Sequence, residues 1–350
     1  MNADEKIRVA VVGAGAFGRN HARIYAELQR AGEPVELLAL VDQNRARAEA
    51  VLGELGLSGA IRAYSHVDDL LADPANLHIT AASVAVPTGQ HLQVSQTLMQ
   101  GGVDVLIEKP IAATLNDAGE MIATAERTGR IAMAGHLERF NPAIRATLPL
   151  VTRPMFFEVH RLSVFTPRSL DVDVVLDLMI HDLDIVLWLV RSPIREIRAV
   201  GIPILSSKVD IANVRVEFGT GCVANFTASR VSTERVRKLR FFQPRQYVSL
   251  DYGRRDVFSL SVQPAEPPAN DVAPPVPGFD IALPSGFRLV PSRPRIDDEE
   301  PLRSELRAFL DAVRTRSAPP ITLEEARAAL AVALEIQEQI ANHTRRAGII

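Results

Sequence analysis

The first 135 residues alternate two kinds of hydrophobic pattern. Short apolar runs such as IRVAVV, ELLALV, ITAASVAV and VDVLI stand between stretches such as HLQVSQTLMQ, where apolar residues recur three or four positions apart. A short apolar run predicts a buried strand, and the helical spacing predicts an amphipathic helix. Strands that alternate with helices form a parallel sheet with helices on its faces. This part of the chain therefore predicts an α/β domain with a doubly wound parallel sheet.

The pattern changes after about residue 137. Strand-like runs separated by short turns follow one another, among them MFFEVHRLSVF, IREIRAVGIPIL, IANVRVEFG, CVANFTASRV and KLRFFQP. Such runs predict a mostly antiparallel open sheet, and a helix between the first two runs makes this part α+β. We therefore predict two domains, residues 1–137 and residues 138–350.

The end of the second part contains a proline-rich segment and two helices. Residues 263–296 hold nine prolines and show no helical period, which indicates an extended, irregular excursion. The sequence leaves its role open between a passive linker, a loop over the mouth of a substrate site and an arm across a partner subunit. Two helices are predicted within residues 301–345. Pro301 stands in the first turn of one, and Thr322 with Glu325 forms a capping box at the start of the other.

The segment VLDLMIHDLDIVLWL, residues 175–189, is apolar nearly all the way round yet carries three aspartates and a histidine. A helix of this kind is normally enclosed by protein. Asp177, His181 and Asp184 share one helical face, and Asp182 lies about 100° away from His181. Burying a carboxylate is costly unless it is paired or hydrogen-bonded. The aligned groups therefore either satisfy one another in a structural network or line a cavity.

Composition narrows the possible functions. A chain of 350 residues, 47% hydrophobic and 23% charged, is long enough for two domains with a sizeable core. Its net charge of −3 gives no general attraction to nucleic acid or to an anionic membrane. No uncharged run of about 18 apolar residues is present, and the N-terminus shows no apolar signal core, so we expect a cytoplasmic protein. Cys222 is the only cysteine, which excludes an internal disulfide and a cysteine-rich zinc site, and we assign no metal site.

A glycine motif follows the first predicted strand. Gly13, Gly15 and Gly18 lie between a strand and a helix, and the second predicted strand ends in Asp42, 24 residues beyond Gly18. In a dinucleotide site the first glycine permits a tight turn, the second lets the backbone approach a pyrophosphate, and the third allows close packing of helix on strand. The alternative is an ordinary α/β turn that binds no nucleotide. We predict a Rossmann domain over residues 1–137.

Asp42 bears on the choice of cofactor. A carboxylate at this position accepts hydrogen bonds from the adenosine ribose and repels a 2′-phosphate, which favours NAD over NADP. Arg45, three residues further on, weakens that preference. The predicted cofactor contacts of this region are Gly13, Gly15, Ala16, Phe17, Gly18, Asp42 and Arg45.

Two polar clusters follow the next buried strands. Pro87, Thr88 and His91 come after ITAASVAV, and Glu108 and Lys109 come after VDVLI. Because a doubly wound sheet binds its ligand at the carboxyl ends of the strands, all five residues are predicted to contact the cofactor. Lys109 also precedes a proline, which makes its position rigid. Taken alone, this lysine could equally be a surface residue paired with Glu108.

Four motifs occur in one order along the chain, GAGAFGRNHARIY, VPTGQH, EKP and GHLERFNPA. In this order and spacing they resemble the Gfo/Idh/MocA family of nicotinamide-dependent sugar and polyol dehydrogenases, over nearly the full length. The resemblance implies NAD as the cofactor and places Lys109 beside the nicotinamide. It implies a second domain for substrate binding and oligomerisation, and thus a homodimer or homotetramer. KLRFFQPRQYVSLDYG belongs either to the subunit interface or to a solvent-facing sheet.

The resemblance also implies catalytic roles. The family pattern of an aspartate, three residues and a histidine matches Asp177 and His181, although the family usually has glycine in place of Met179. Oxidation of an alcohol needs a base, and imidazole with a pKa of about 6.5 suits this role. His181 would take the proton, Asp177 would orient the ring or relay the proton, and Lys109 would stabilise the alkoxide. The roles of Lys109 and His181 are open to exchange, and a self-satisfied buried His–Asp pair is the structural alternative.

One branch of the family looks most similar, the UDP-N-acetylglucosamine 3-dehydrogenases, on the evidence of GHLERFNPA and HRLSVFTPRSLDVDVVLDLMIHDLDIV. These enzymes oxidise the 3-hydroxyl group to a ketone for a downstream aminotransferase, on a route to the diamino sugars of lipid A. Guanidinium groups bind diphosphate in bidentate fashion, which suits an anionic substrate. Each arginine could equally form a surface ion pair. The predicted substrate-binding residues are Glu138, Arg139, Asn141, Arg161, Arg168 and His181.

Two other functions stay open at this level. One is an NAD-dependent dehydrogenase of a neutral sugar or a polyol such as inositol, which UDP alone would not protect from thermal unfolding. The other is a non-catalytic NAD-binding sensor. The joint presence of Lys109, Asp177 and His181 argues against a sensor, because a sensor needs neither a base nor an alkoxide stabiliser.

Overall fold

A computed structural model of the chain describes residues 5–73, 78–166, 172–265, 281–283 and 286–348. The chain divides into two compact units. The first unit comprises Met1–Leu137 and Glu300–Leu330, and the second comprises Glu138–Glu299 and Ala331–Ile350. The sequence analysis assigns residues 300–330 to the second domain, whereas the structure groups them with the first unit.

The first unit is built on a parallel sheet that has six strands in the described part of the chain. The strands are β1 (Ile7–Val12), β2 (Val35–Val41), β3 (Arg62–Tyr64), β4 (Ala81–Val84), β5 (Asp104–Glu108) and β6 (Ala132–Gly135). Their order across the sheet is β3-β2-β1-β4-β5-β6, with every neighbouring pair parallel. Chain order reverses between β1 and β4. Such a switch point is where a doubly wound sheet binds its ligand.

Helices connect these strands, and their ends follow from local chemistry. They are α1 (Ala16–Arg30), α2 (Arg45–Glu54), α3 (Val67–Leu71), α4 (His91–Gln100) and α5 (Leu115–Thr128). The Asn44 side chain caps α2, and the Thr114 side chain caps α5. Gly129 ends α5 with a φ of 63°, in the left-handed region that glycine adopts most readily. The prediction of an α/β domain with a doubly wound parallel sheet is confirmed.

In the second unit the sheet has nine strands among the described residues. They are β7 (Phe156–Val164), β8 (Ile194–Ile202), β9 (Ile211–Phe218), β10 (Val223–Ser232), β11 (Val236–Gln243), β12 (Gln246–Asp251), β13 (Asp256–Pro264), β14 (Ile281–Leu283) and β15 (Phe287–Ser292). Their order is β14-β15-β13-β12-β11-β7-β10-β9-β8. Only β7 and β10 pair in parallel among these strands, so the prediction of a mostly antiparallel open sheet is confirmed.

The helical part of the second unit contains α6 (Pro142–Thr147) and α7 (Ile180–Val190). The sequence predicts an uninterrupted helix over residues 175–189, but Val175–Met179 form a π-helical turn before α7 begins. Asp173 supports this turn by accepting hydrogen bonds from the backbone N–H groups of the first two residues of the turn. Single π-helical turns occur frequently at functional sites. The catalytic candidate Asp177 lies within this one.

The two C-terminal helices are α8 (Pro301–Thr315) and α9 (Leu323–Arg346). Helix α8 packs against α1 within the first unit. Three ion pairs support that packing, formed by Arg303 with Glu27, Arg307 with Glu33 and Glu300 with Arg23. Thr322 and Glu325 exchange the two hydrogen bonds of the predicted capping box at the start of α9. Within the described ranges, no helix combines the length and the apolar character that crossing a bilayer requires.

The prediction of an irregular excursion over residues 263–296 is wrong in part. Strand β15 pairs with β13 on one side and with the short β14 on the other. Residues 266–280 and 284–285 of this segment lie outside the described residues.

Candidate cofactor site and catalytic residues

Two glycines of the motif, Gly13 in the loop between β1 and α1 and Gly18 in the first turn of α1, leave no room for a side chain. Gly13 has a φ of 103°, and a Cβ there would lie 2.4 Å from the carbonyl oxygen of Ala85. A Cβ on Gly18 would lie 1.7 Å from the carbonyl oxygen of Gly13, so α1 packs directly on the loop. A Cβ on Gly15 would meet no described atom within 4 Å. Open space beside the backbone at a helix N-terminus suits an anion, and Gly15 therefore marks the place for a pyrophosphate.

A cavity of about 370 Å³ opens beside this loop, at the carboxyl ends of β1, β2 and β4. Its size is within the range of small-molecule sites. Apolar groups such as Val12 and Val86 form part of the wall, and Asp42, Gln43 and Arg47 provide polar groups. The predicted cofactor contacts that line it are Gly13, Gly15, Ala16, Phe17, Asp42 and Pro87. The cavity lies at the switch point of the sheet, where a doubly wound sheet binds a dinucleotide.

Asp42 is tied into the glycine loop. Its Oδ2 accepts a hydrogen bond from the backbone N–H of Ala14 at 2.8 Å, and its Oδ1 accepts one from the N–H of Asn44 at 2.9 Å. The carboxylate therefore holds the loop in shape besides facing the cavity. The guanidinium of Arg47, a residue that the sequence analysis missed, also lines the cavity, with Nη1 3.9 Å from Asp42 Oδ2.

The structure argues against the prediction that Arg45 contacts the cofactor. Arg45 pairs with Glu49 at 2.9 Å on the exposed face of α2, and it is not among the described residues around the cavity. The difference comes from the start of the helix. Because Asn44 caps α2, Arg45 is its first residue and points to solvent, whereas Arg47 returns to the cavity side. The capping asparagine was the sequence signal that could have identified Arg47.

His91 is buried and connects the loop after β4 with the loop after β5, so it is not an exposed cofactor contact. It is buried at the start of α4, and its Nε2 lies 2.8 Å from the carbonyl oxygen of Val86. Its Nδ1 lies 3.1 Å and 3.2 Å from the carbonyl oxygens of Pro110 and Ile111. Burial lowers the pKa of His91, and these backbone contacts oppose that shift. Thr88 begins a short 3₁₀ turn next to the cavity but is not among its described lining residues.

Glu108 and Lys109, adjacent in the chain, have different environments. Glu108 ends β5 and is buried, with Oε1 2.9 Å from Nε2 of His21 on α1. Lys109 is partly exposed and is followed by a cis peptide bond to Pro110. Glu108 therefore anchors the end of the strand from the interior, while the side chain of Lys109 is accessible for chemistry.

A second carboxyl group lies in the same interior. Glu305 on α8 is fully buried, and neither of its oxygens has a hydrogen-bond donor within reach among the described residues. Burial raises the pKa of Glu305 well above its usual range, and the charge of Glu108 raises it further. Both effects favour the protonated form of Glu305 in the folded protein. Nothing in the local sequence of α8 indicates which groups its buried face contacts, so the sequence alone does not identify Glu305 as a buried acid.

The buried aspartates of α7 each have a guanidinium partner. Arg161 binds Asp182 through Nε at 2.7 Å and Nη2 at 2.8 Å. Arg139 binds Asp184 through Nε at 2.8 Å and Nη2 at 2.6 Å. All four residues are buried, and bidentate pairing offsets the cost of burying the charges. The structure therefore argues against direct substrate binding by Arg139 and Arg161, because their guanidinium groups are already engaged.

Glu138 and Asn141 belong to the same network. Glu138 accepts a hydrogen bond from Nη1 of Arg161 at 3.0 Å and another from Nδ2 of Asn141 at 3.0 Å. The Oδ1 of Asn141 accepts from the N–H of Ala143 and so caps α6. These two predicted substrate contacts hold the chain in place before α6. Arg168, the remaining arginine of the predicted set, lies outside the described residues.

Asp177 and His181 differ from the aspartates that follow them. Both are partly exposed, whereas Asp182 and Asp184 are buried. The helical face predicted to hold Asp177, His181 and Asp184 together is therefore not uniform, because Asp184 is buried in its pair with Arg139. An accessible imidazole with a carboxylate one turn earlier can take up a proton and pass it on. Within the described ranges, no group of three or more His, Cys, Asp or Glu side chains is arranged to hold a metal ion.

Comparisons with known proteins agree with this architecture. Residues 7–136 match the family described as "Oxidoreductase family, NAD-binding Rossmann fold", and residues 154–246 match the Gfo/Idh/MocA C-terminal domain. A UDP-N-acetylglucosamine 3-dehydrogenase from Acidithiobacillus ferrooxidans is 38% identical over 247 residues, which cover 70% of this chain and 74% of the relative. A scyllo-inositol 2-dehydrogenase (NAD(+)) from Bacillus subtilis is 25% identical over 244 residues, 65% of this chain and 69% of the relative.

Solved structures extend the similarity to nearly the whole chain. A structure of the UDP-N-acetylglucosamine 3-dehydrogenase from Acidithiobacillus ferrooxidans matches with a TM-score of 0.81 at 33% identity, covering 95% of this chain and 97% of that one. Levoglucosan dehydrogenase in complex with NADH matches with a TM-score of 0.79 at 16% identity, covering 97% and 98%. At that identity the second likeness shows the fold alone.

Proposed function

Because this chain belongs to the Gfo/Idh/MocA family of NAD-binding oxidoreductases, we propose that it oxidises the 3-hydroxyl group of a UDP-linked N-acetylhexosamine, UDP-N-acetylglucosamine, to a ketone. The observation that carries the substrate assignment is the 38% identity to a UDP-N-acetylglucosamine 3-dehydrogenase, against 25% to a scyllo-inositol dehydrogenase. The product, a 3-keto sugar, is a substrate for an aminotransferase. This proposal therefore places the chain in amino-sugar biosynthesis, with lipid A as one destination.

Bound NAD supplies the acceptor for the hydride that leaves the sugar. The glycine loop is suited to hold it, since the open space at Gly15 and the N-terminus of α1 favour a pyrophosphate. Asp42 at the end of β2 accepts from the ribose hydroxyls. Arg47 lies beside that carboxylate and moderates its charge.

The catalytic roles fall to three side chains. His181 takes the proton from the 3-hydroxyl group, and Asp177, one turn earlier, orients the imidazole or relays the proton onward. Lys109 donates a hydrogen bond from its ammonium group to the alkoxide as charge develops on the oxygen. Their partial exposure supports these roles, because the neighbouring acids Glu108, Asp182 and Asp184 are buried.

Turnover tests this proposal directly. The protein is incubated with NAD and UDP-N-acetylglucosamine, and the absorbance of NADH is followed, with an aminotransferase and glutamate added to remove the keto product. Lys109→Met and His181→Ala are each expected to lower kcat by about a hundredfold or more. Arg45→Gln, on the exposed face of α2, is the control that should retain activity. Near-normal turnover in either variant removes that residue from its role.

A second candidate function is oxidation of a polyol. The similarity to scyllo-inositol 2-dehydrogenase favours it over other neutral sugars. Turnover with scyllo- or myo-inositol, without turnover of UDP-N-acetylglucosamine under the same conditions, would replace the first proposal with this one.

A further inference from the structure

Arg237 on β11 stands directly opposite Arg161 on the neighbouring strand β7. The two side chains are on the face of the sheet that also buries Leu239 and Phe241, because residues two apart on a strand share a face. Directly opposed residues on antiparallel strands have Cβ atoms about 4.5–5.5 Å apart. Two guanidinium groups so placed repel each other unless an anion lies between or beside them.

The carboxylates near Arg237 already accept hydrogen bonds from other residues. Asp182 holds Arg161 in a bidentate pair, and Glu138 accepts from both Arg161 and Asn141. In the described part of the chain, no carboxylate forms an ion pair with Arg237, and its Nε is buried without a hydrogen-bond acceptor. Asp182 and Glu138 carry two negative charges against the one positive charge of Arg161, so the cluster also balances the charge of Arg237. It provides no hydrogen-bond acceptor for the Nε of Arg237 among the described residues.

The electrostatic setting of Arg237 agrees with this geometry. Burial lowers the pKa of Arg237, and the charges of Arg161 and Arg235 lower it further, while Glu138 and Asp182 oppose the shift. The side chain is half-buried rather than enclosed, so a ligand can reach it. A partly desolvated guanidinium without an internal partner is typical of a binding site for an anion.

We infer that Arg237 binds the diphosphate group of the substrate, with Arg235, an exposed residue just before β11, adding positive charge. The planar fork of a guanidinium matches two phosphate oxygens, and a bound diphosphate supplies hydrogen-bond acceptors that the described residues do not give to the Nε of Arg237. This inference rests on the proposed nucleotide-sugar substrate. A neutral polyol has no paired anionic oxygens to match this fork.

The experiment is a calorimetric titration with UDP in the presence of saturating NAD, which fills the dinucleotide site of the first unit. Arg237→Gln is expected to raise the Kd for UDP about tenfold or more, because it removes a charge-assisted hydrogen bond. Arg237→Lys keeps the charge without the fork and should fall between this variant and the wild type. Arg240→Gln is the matched control, since Arg240 lies on the opposite face of β11 beside Glu158.

A second readout separates binding from folding. Without ligand, the thermal midpoint of Arg237→Gln should stay close to that of the wild type, because the substitution removes the repulsion from Arg161 together with the attraction of Glu138 and Asp182. Unchanged UDP affinity in Arg237→Gln overturns the inference, and so does an affinity loss accompanied by a lowered midpoint in both Arg237 variants.

A parallel titration with inorganic pyrophosphate distinguishes this inference from the proposed function. If the wild type fails to bind UDP but binds pyrophosphate in a manner that requires Arg237, the anion site stands and the UDP-sugar substrate falls. If the wild type binds neither probe, both are overturned.

Discussion

Asp42, Asp182 and Glu305 are three carboxyl groups in three different environments. Asp42 lies at the edge of a cavity, where backbone N–H groups hold it. Asp182 is buried against a bidentate arginine, and burial raises its pKa while the charge of Arg161 opposes that rise. Glu305 is buried without a donor in the described structure, and burial raises its pKa well above the usual range. Each residue's function therefore follows from its neighbours, and a composition count treats all three alike.

Asp42 should control the choice between the two nicotinamide dinucleotides. Asp42→Asn removes the charge but keeps an oxygen that can accept from Ala14. Without the repulsion of the 2′-phosphate, and with Arg47 still in place, the affinity for NADPH relative to NADH should rise about tenfold. Fluorescence titration with each reduced cofactor measures this ratio. Arg45→Gln should leave it unchanged, and an unchanged ratio in Asp42→Asn would show that Asp42 does not face the ribose.

The buried pair of Arg161 and Asp182 should matter far more for stability than an exposed pair. Asp182→Asn leaves Arg161 with a weakened set of partners in the interior, and the free energy of unfolding should fall by about 3–5 kcal/mol. Denaturant titration measures the change. Glu49→Gln breaks the exposed pair with Arg45 and serves as the control, with little expected effect. Equal losses in the two variants would contradict this account.

At the scale of elements, the loop between β1 and α1 and the turn before α7 show how backbone geometry prepares a site. The N-terminus of α1 lies close to the end of β1. This close approach is possible because glycine has no side chain, and a Cβ at Gly13 or Gly18 would collide with backbone atoms. The π-helical turn Val175–Met179 departs from the regular helix at the position of Asp177. In both places the departure from regular structure coincides with a residue proposed to bind cofactor or move a proton.

Two glycines of the motif, Gly15 in the loop and Gly18 in α1, should respond differently to alanine. Gly18→Ala places a Cβ against a backbone oxygen and should destabilise the fold severely, whereas Gly15→Ala enters open space and should leave the thermal midpoint nearly unchanged. Gly15→Ala should nevertheless weaken NADH binding, because the new Cβ occupies the place of the pyrophosphate. Thermal unfolding and NADH fluorescence measured on both variants check this. Tight NADH binding by Gly15→Ala would place the pyrophosphate elsewhere.

The free energy of unfolding of the protein should depend on pH because of the buried carboxyl group of Glu305. The unfolded chain releases this proton above a pH of about 4.5, the ordinary value for glutamate, whereas the folded chain retains it. The unfolded state then binds fewer protons, so stability falls as pH rises, by up to about 1.4 kcal/mol per pH unit, until pH passes the raised folded pKa.

Glu305→Gln has no proton to lose, so its stability relative to the wild type should increase as pH rises from about 4.5 towards 8. Urea unfolding at several pH values measures the difference. Asp311→Asn, on the exposed side of the same helix, is the matched control and should show little change with pH. Parallel pH curves for the wild type and Glu305→Gln would show that Glu305 is ionised in the folded protein.

Much of the cofactor half could be predicted from local sequence. The strand and helix order, the glycine loop and Asp42 are encoded by short-range patterns, since hydrophobic period and turn chemistry act over a few residues. Local sequence did not predict that residues 300–330 group with the first unit. Ion pairs between segments that are far apart in the chain join α8 to that unit. The homodimer or homotetramer and the aminotransferase partner stay predictions.

The candidate substrate residues mark the limit of what sequence determines. The sequence alone shows that three aspartates and a histidine lie within residues 175–189, and that one aspartate precedes the histidine by four residues. The tertiary structure adds that Arg139 pairs with Asp184 and Arg161 with Asp182, and that no carboxylate in the described part of the chain forms an ion pair with Arg237. The physical reason is that a charge is neutralised by whichever group packing brings within a few ångströms, and that group can come from any part of the chain.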